Sequence, residues 1–338
     1  MKNGKFLTMA FESSCDETAI AIVADGREVL SNVISSQIDI FKDYGGVVPE
    51  IAARHHLENI NHVMDCALKE ADVTLKDIDL IGVTNGPGLV GALLIGVATA
   101  KSVAYGAGIP IIEVHHIMGH ISANFIEFEK LEPPFTALII SGGHTNIAKM
   151  TSYTDCQVIG ATRDDAAGEA YDKVARVLGL GYPGGPKIDK LAKEGDPDAI
   201  KFKRILLEKD SFDFSFSGLK TAVLNYINTA KQGGKEINKA DVAASFQQAV
   251  IDVVVQKSVM ATKEMGYNKL VLAGGVAANS ALRANLEKGC KDNNIELYVP
   301  SPILCTDNAA MIGCAAYYKY KEGHRSDLDM DVYANLPL

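Results

Sequence analysis

Residues Val114 to His120 read V-H-H-I-M-G-H and lie at a predicted corner between a strand and a helix. The apolar run Ile109–Val114 predicts a short strand, and the pattern of Ile117–Phe128 predicts a helix. Within this stretch, His116 and His120 are four residues apart, which places both side chains on one helix face. Because open α/β sheets build their sites where strands end, the stretch predicts an α/β fold with a histidine pair at a strand end.

The same order of strand, tight turn and helix recurs on both sides of this corner. Upstream, Leu80–Thr84 predicts a buried strand that N-G-P-G connects to a helix. Downstream, Lys269–Ala273 predicts a strand that G-G-V-A-A-N connects to the helix Ser280–Lys288. Each unit follows a strand, a small polar corner and a second strand, at Phe6–Val23 and at Phe135–Met150. This order predicts a duplicated lobe.

Other segments complete this outline. Helical periodicity predicts helices over Pro49–Ala71 and Ala240–Met265, and a third in the R-D-D-A-A-G-E-A-Y-D-K-V-A-R segment. The L-G-Y-P-G-G-P segment after it is rich in Gly and Pro and predicts a connection. Phe212–Lys220 alternates aromatic residues with serines, and the sequence alone indicates no chemical role for it.

Composition indicates a globular protein of two domains. The chain has 338 residues, 47% of them hydrophobic and 22% charged. An export signal is not apparent, and the longest apolar run, Leu89–Ala98, is about half of a membrane span, so we expect a cytoplasmic protein without a membrane partner. The six cysteines show no C-x-x-C spacing, which favours neither a zinc knuckle nor a disulfide framework.

The formal net charge of −9 means that the chain as a whole repels a nucleic acid backbone. Basic residues are densest in Lys187–Lys209, where acidic residues are interspersed with them. This segment is therefore predicted to be a solvated face rather than a nucleic-acid-binding groove. Any nucleic acid partner needs local or borrowed positive charge.

A metal site is suggested by the histidine pair together with one acid. Asp307 precedes a predicted helix, Asn308–Tyr320, where an N-cap role is the alternative interpretation. With His116 and His120, Asp307 forms a set of two histidines and one carboxylate, which suits iron(II) or another divalent ion with open positions.

Glycine-rich turns supply candidate sites for a phosphate. The turn Ser141–Thr145 reads S-G-G-H-T, and its glycines allow backbone N–H groups to approach an oxyanion. Gly274-Gly275, with Asn279 at the next helix start, permits close passage of a flat or polyanionic ligand. Either turn alone is also compatible with a plain connection.

Taken together, these motifs resemble a known family in order and over nearly the whole chain. They are F-E-S-S-C-D-E-T, Y-G-G-V-V-P-E, N-G-P-G-L-V-G-A-L, V-H-H-I-M-G-H, S-G-G-H-T, D-A-A-G-E-A-Y-D-K-V-A-R, F-S-F-S-G-L-K-T-A, A-G-G-V-A-A-N and T-D-N-A-A-M. The family is that of the bacterial tRNA threonylcarbamoyladenosine transferase subunits. It implies two duplicated lobes of the actin-like and sugar-kinase ATPase (ribonuclease H-like) type, with nucleotide and metal in the cleft between them. We expect lobes at 1–115 plus 305–338 and at 116–304.

The resemblance also implies site residues. His116, His120 and Asp307 would bind the metal, one divalent ion per subunit, with iron(II) expected and zinc or magnesium as alternatives. The substrate corner would be lined by the run Ile139, Ile140, Ser141, Gly142 and Gly143. The ribose and base of an adenylate or ATP would contact four further positions, Asp172, Gly185, Asp189 and Asn279.

The reaction implied is transfer of the threonylcarbamoyl group from threonylcarbamoyl-AMP to the exocyclic amine of the adenosine next to the anticodon, in tRNAs reading codons that begin with A. AMP is released. The expected partners are tRNA and accessory subunits, namely a paralogous actin-like subunit and a small ATPase.

Three other functions are alternatives. An ATP-dependent small-molecule kinase shares the fold, but such enzymes usually carry aspartate at the corner where this chain has Ser141. A metalloprotease would require the glutamate of H-E-x-x-H, which H-I-M-G-H lacks. A scaffold role would not be compatible with tight binding of an adenylate.

Overall fold

The computed structural model describes residues 4–208 and 211–338, and the chain divides into two compact units. The first unit comprises residues up to Pro133, Met150–Cys156 and Pro300–Leu338. The second comprises Pro134–Lys149 and Gln157–Val299.

Two five-stranded sheets are present in the described residues. In the first sheet, Leu7–Glu12 runs antiparallel to Glu17–Ala24 and parallel to Leu80–Gly86, which in turn runs parallel to Ile111–His115. The strands are β1 (Leu7–Glu12), β2 (Glu17–Ala24), β3 (Glu28–Ser36), β4 (Leu80–Gly86), β5 (Ile111–His115), β6 (Phe135–Ile140), β7 (Thr145–Met150), β8 (Cys156–Ala161), β9 (Lys269–Ala273) and β10 (Glu296–Tyr298).

The α-helices cover the sheets. In chain order they are α1 (Ile38–Phe41), α2 (Pro49–Glu70), α3 (Val90–Ala107), α4 (His116–Glu127), α5 (Ala167–Leu178), α6 (Gly184–Ala192), α7 (Ser217–Gln232), α8 (Lys239–Glu264), α9 (Ser280–Asp292), α10 (Pro302–Cys305) and α11 (Ala309–Lys321).

The two sheets have the same strand order, which confirms the predicted duplication. The first runs β3-β2-β1-β4-β5, and the second, read in the same direction, runs β8-β7-β6-β9-β10. In both, the first strand of the unit pairs in parallel with the fourth, and the fourth pairs in parallel with the fifth. In both units, parallel pairing therefore brings the carboxyl ends of three neighbouring strands to one edge of the sheet.

Strand β1 shows why the sheet of the first unit forms. All six of its residues are buried. Met9 and Phe11 pack in a core with residues of α2 and α3, while Ala10 packs in a second core with Met311 and Ile312 of α11. A strand covered on both faces needs a continuous rather than alternating apolar sequence, as L-T-M-A-F provides.

Helix α3 is the one helix in residues 4–208 and 211–338 that is long and apolar enough to cross a membrane by length and composition. It packs against α2 and β4 in the first unit. Its buried residues include Leu93 and Val97, and Lys101 donates a hydrogen bond to the carbonyl of Met330. These contacts are those of a helix packed in its own unit.

Two details differ from the sequence analysis. Three segments expected in the second lobe, 116–133, Met150–Cys156 and 300–304, belong to the first unit, the first of them because α4 packs against α11. The L-G-Y-P-G-G-P segment, expected as a connection, contains the start of α6 at Gly184. The Asp172 carboxylate accepts a hydrogen bond from the Gly184 amide at 2.7 Å and so satisfies a donor that the sequence pattern does not reveal.

Candidate active site

The histidine corner of the first unit forms as predicted, and it meets Asp307. His116 is the first residue of α4, directly after β5, and His120 lies one turn further on. The carboxylate Oδ1 of Asp307 lies 3.5 Å from Nε2 of His116 and 3.2 Å from Nε2 of His120. The two imidazole rings are 4.6 Å apart and nearly perpendicular.

The start of α4 is held by the neighbouring histidine. Nδ1 of His115 accepts a hydrogen bond from the Ile117 amide at 3.1 Å, and its Nε2 donates to the Leu336 carbonyl at 2.9 Å. This N-cap fixes the first turn of the helix, in which His116 lies.

Asp307 is not the N-cap of α11, so the alternative interpretation of this residue is wrong. The N-cap is Asn308, whose Oδ1 accepts a hydrogen bond from the Met311 amide at 3.0 Å. Gly119 of α4 allows the close approach of α11, since a Cβ at this position would lie 2.6 Å from Cδ1 of Ile312. The capping and the packing together leave the Asp307 carboxylate directed at the two imidazoles.

These three residues fit a divalent metal ion. One ligand atom from each of His116, His120 and Asp307 lies within 4.8 Å of the others. Two imidazole nitrogens and one carboxylate oxygen are donors that iron(II) and zinc accept. In addition, both imidazole rings are buried, and the Nε2 atom of each lies 3.5 Å or less from the carboxylate of Asp307. An ion would compensate for the cost of burying these polar groups.

Carboxylates dominate the electrostatics of this site. Burial opposes the charged form of His116, but Glu12 and Asp307 outweigh it and raise the pKa of the imidazole to about 9. Burial, the Asp307 charge and the Asp16 charge raise the pKa of Glu17 to about 10. A site with this excess of negative potential favours a cation.

The second unit contains a cavity of about 470 Å³, a volume suited to a nucleotide-sized ligand. Its wall includes five of the nine residues predicted to contact the substrate. They are Gly142, Asp172, Gly185, Asp189 and Asn279.

The other four predicted residues are not in the wall of this cavity. Ile139 and Ile140 are buried in β6, so that only their backbone groups could contact a ligand. The Ser141 amide donates to the His144 carbonyl at 2.8 Å, which closes the turn. A Cβ at Gly142 or Gly143 would meet nothing within 4 Å, so the tip of the turn is open to a ligand.

Asp189 and Asn279 hold the start of α9. Oδ2 of Asp189 accepts hydrogen bonds from the amide and the hydroxyl of Ser280, at 3.2 and 2.8 Å. Its buried Oδ1 has no partner among the described residues. Asn279 is the N-cap of α9 through its Oδ1, and its Nδ2 donates to Gln247 at 2.8 Å. One oxygen of Asp189 is therefore available to accept a ligand hydroxyl.

Comparison with known proteins assigns the family. The family model described as tRNA N6-adenosine threonylcarbamoyltransferase matches residues 28–314. The chain is 59% identical over 334 residues to the protein of that name from Clostridium beijerinckii, covering 99% of this chain and 98% of the relative. It is 58% identical over 330 residues to the protein of that name from Clostridium botulinum, covering 98% and 97%. The chain belongs to the tRNA N6-adenosine threonylcarbamoyltransferase family.

Similarity to solved structures supports the fold. Full-length HypF, solved with phosphate and nucleotide, matches with a TM-score of 0.63 at 16% identity, over 98% of this chain and 47% of HypF. Component A of the (R)-2-hydroxyglutaryl-CoA dehydratase of Acidaminococcus fermentans matches with a TM-score of 0.55 at 17% identity, over 94% and 98%. The predicted actin-like ATPase fold is confirmed.

Membership in the threonylcarbamoyltransferase family also decides between the functions considered from the sequence. The prediction of a transferase is confirmed. The kinase of the same fold is not supported.

Two buried polar residues that contact predicted site residues were not predicted from the sequence. Glu12 is buried and lies 3.1 Å from Nδ1 of His116 through its Oε2. Gln247 is buried in α8 and orients the amide of Asn279. In the sequence, each of these two residues is marked only as a polar side chain within a largely apolar segment. The residue that it contacts is distant in the chain.

Proposed function

We propose that this chain transfers the threonylcarbamoyl group of threonylcarbamoyl-AMP to the exocyclic amine of the adenosine next to the anticodon, in tRNAs that read codons beginning with A. The family match over residues 28–314 carries this proposal. The new bond joins N6 of adenosine to the carbamoyl carbon, the bond from that carbon to the phosphate oxygen breaks, AMP leaves with the electron pair, and the N6 amine loses one proton to the solvent.

In this proposal, His116, His120 and Asp307 hold one divalent ion, iron(II) in preference to zinc or magnesium. Such an ion supplies Lewis acidity, which polarises a carbonyl toward amine attack. The excess of carboxylates at this site supports a cation, and the two imidazoles favour a transition metal over magnesium. Metal analysis of protein purified without oxygen tests the identity of the ion.

The cavity of the second unit is proposed to bind the nucleoside part of the adenylate. The unpartnered Oδ1 of Asp189 would accept a ribose hydroxyl, and the open tip at Gly142 and Gly143 would donate backbone N–H groups to the phosphate. Asp172 and Gly185 line the same cavity. Asp172 would act mainly by holding the start of α6 through the Gly184 amide.

Reconstitution tests the reaction. The protein is incubated with its proposed accessory subunits, threonine, bicarbonate, ATP and unmodified tRNA, and the digested tRNA is examined by mass spectrometry. The proposal expects threonylcarbamoyladenosine that depends on this chain. Its formation in a mixture lacking this chain would contradict the proposal.

The nucleotide site is tested with Asp189→Asn, which keeps the side-chain volume but replaces one carboxylate oxygen with an NH2 group. The remaining oxygen is needed to accept from Ser280, so the group facing the ligand is the NH2 group, which cannot accept a hydrogen bond. We expect AMP binding to weaken by about 1 to 3 kcal/mol in titration calorimetry. Asp198→Asn, which removes the same charge at an exposed position of the same unit, is the control. Equal AMP affinity in the two variants would contradict the assignment.

The proposed partners are tRNA, a paralogous actin-like subunit and a small ATPase, and the proposed location is the cytoplasm. The net charge of −9 supports the need for accessory subunits, since phosphate contacts depend on positive charge. Copurification of tagged chain with the two subunits from cells tests this part.

A further inference from the structure

Glu12 is a buried carboxylate at the end of β1 that the proposed chemistry does not use. Its side chain is 1% exposed. Three groups contact it, since Oε1 accepts from the Ser14 amide at 2.6 Å, and Oε2 lies 2.6 Å from Oγ1 of Thr84 and 3.1 Å from Nδ1 of His116. Each carboxylate oxygen is therefore hydrogen-bonded.

The sheet itself brings these partners together. Glu12 ends β1, Thr84 lies in the neighbouring parallel strand β4, and His116 directly follows β5, the next parallel strand. Backbone pairing thus sets the spacing of the three side chains, and rigid elements place groups more accurately than loops do. The position of Glu12 relative to His116 is a consequence of strand register.

Burying this carboxylate has an energetic cost that a packing role does not explain. An ionised carboxylate loses water on burial, and a well-packed apolar residue in its place is often neutral or more stable. Met9, Ala10 and Phe11, which precede Glu12 in β1, are apolar and buried. A carboxylate at this position is therefore accounted for by its effect on His116.

The two ring nitrogens of His116 have different partners. Nδ1 contacts Glu12, with Oγ of Ser14 at 3.2 Å, while Nε2 is directed at Asp307. We propose that Glu12 is a positioning residue, which accepts a hydrogen bond from Nδ1–H of His116 and so fixes the ring with the Nε2 lone pair toward the metal. A histidine that binds a metal commonly donates its other N–H to a carboxylate, which orients the ring and increases its basicity.

His120 lacks this support. Its Nδ1 has no hydrogen-bond partner in residues 4–208 and 211–338. The orientation of His120 depends instead on the packing of α4, where its side chain is 1% exposed. Glu12 therefore acts on one ligand of the pair, and its loss is expected to change the metal site without removing a ligand.

This inference rests on the proposed metal site, and metal binding tests it without any measurement of transfer activity. Cobalt(II) is titrated into the metal-free wild type, Glu12→Gln and Glu113→Gln, with calorimetry and visible absorption. Glu113 lies in β5 and its carboxylate accepts from Asn85 at 3.0 Å, so Glu113→Gln removes a charge from the same region without touching His116. We expect cobalt affinity to fall roughly 10- to 100-fold in Glu12→Gln with an altered spectrum, and to be unchanged in Glu113→Gln.

The outcomes separate the two claims. A wild type that binds no cobalt contradicts the metal site and this inference together. A wild type that binds cobalt, with the same affinity and spectrum in Glu12→Gln, overturns the inference alone.

A measurement on the wild type covers the case in which Glu12→Gln does not fold. Protein labelled with ¹⁵N-histidine is loaded with zinc, and the His116 Nδ1 proton is sought by NMR. The inference expects a downfield proton that exchanges slowly with water, because it is donated to a buried carboxylate. A His116 Nδ1 proton that exchanges too fast to be observed would overturn the inference.

Discussion

At the residue scale, adjacent positions of the T-D-N-A-A-M segment have different tasks. Asp307 is directed at the two histidines, while Asn308 caps α11. Aspartate and asparagine are about equally good N-caps, so the sequence could not tell which of the two takes the cap position. The contact with α4 decides which residue caps the helix. The sequence does not reveal this contact, because α4 lies almost two hundred residues earlier in the chain.

Substitutions separate these two tasks. We expect Asn308→Ala to lower the free energy of unfolding by about 1 kcal/mol, since it removes the cap, and to keep metal affinity near that of the wild type. Asp307→Asn is expected to weaken metal binding by more than about tenfold, because it removes a charged ligand, with little effect on unfolding of the metal-free protein. Urea unfolding and metal titration of both variants are the measurements. The reverse pattern would show that Asp307 is the cap.

At the element scale, Phe212–Lys220 acquires the role that the sequence alone did not indicate. Phe214 and Phe216 are buried, and the serines between and after them, Ser215 and Ser217, donate hydrogen bonds to Asp164 at 2.5 and 2.8 Å. Asp164 also accepts from the Ser217 amide at 3.2 Å, at the start of α7. The aromatic side chains of this segment are thus buried. The alternating serines hydrogen-bond to a carboxylate that is distant in the sequence and so anchor the start of α7.

This anchor predicts a pH dependence. Burial would raise the pKa of Asp164, but hydrogen bonds from Ser215, Phe216 and Ser217 outweigh it and lower the pKa. A lowered folded-state pKa gives stabilisation that is complete above the unfolded value of about 3.9 and is lost as the pH falls through the folded value. We therefore expect Asp164→Asn to be up to about 1 kcal/mol less stable than the wild type at pH 7, because hydrogen bonds to a charged acceptor are stronger than those to a neutral amide, and solvent screens part of this difference at an exposed position. The difference should shrink below roughly pH 4, as measured by urea unfolding from pH 3 to pH 7. A difference that grows on acidification would contradict this account.

The N-G-P-G turn shows which part of an element prediction depends on tertiary structure. Strand, turn and helix were predicted from local pattern and are present as β4 and α3. The glycine of this turn allows close approach to another part of the same chain. A Cβ at Gly88 would lie 2.6 Å from the Ser14 carbonyl oxygen, and the Leu89 amide donates to the same oxygen at 2.8 Å. Glycine in a turn predicts close approach but not the identity of the neighbour.

Gly88→Ala should therefore disturb the corner that follows Glu12. The clash is with backbone atoms of Ser14, which cannot rotate away, and we expect a loss of about 1 to 3 kcal/mol of unfolding free energy. Gly106→Ala is the matched control, because a Cβ there meets nothing within 4 Å in α3, and it should be neutral or up to about 1 kcal/mol more stable. Thermal and urea unfolding of both variants give the comparison. Equal stability of the two would mean that the Ser14 corner is not tightly packed.

At the scale of the whole molecule, the duplication was predictable and the division of the chain was not. Strand order follows from alternating patterns and turns that are local, and both units repeat it. Assignment of the segment 116–133 depends on packing between α4 and α11, which no local pattern reports. The spacing of His116 and His120 is likewise a local pattern and could be recognised in the sequence. The roles of Glu12 and Gln247 depend on contacts with residues of other elements, which the sequence does not reveal.

Charge is the property of the whole chain that bears on tRNA. With 33 basic and 42 acidic residues, the net charge is −9, and each phosphate contact needs a positive side chain to release counterions. We expect the isolated chain to bind tRNA weakly, with a dissociation constant above about 1 μM at roughly 0.15 M salt, and tighter binding when the accessory subunits are added. Filter binding at several salt concentrations measures both the affinity and the number of phosphates neutralised. A steep salt dependence that appears only with the subunits would assign the basic surface to them. Nanomolar binding by the isolated chain at the same salt would instead place a basic groove on this protein, despite its acidic composition.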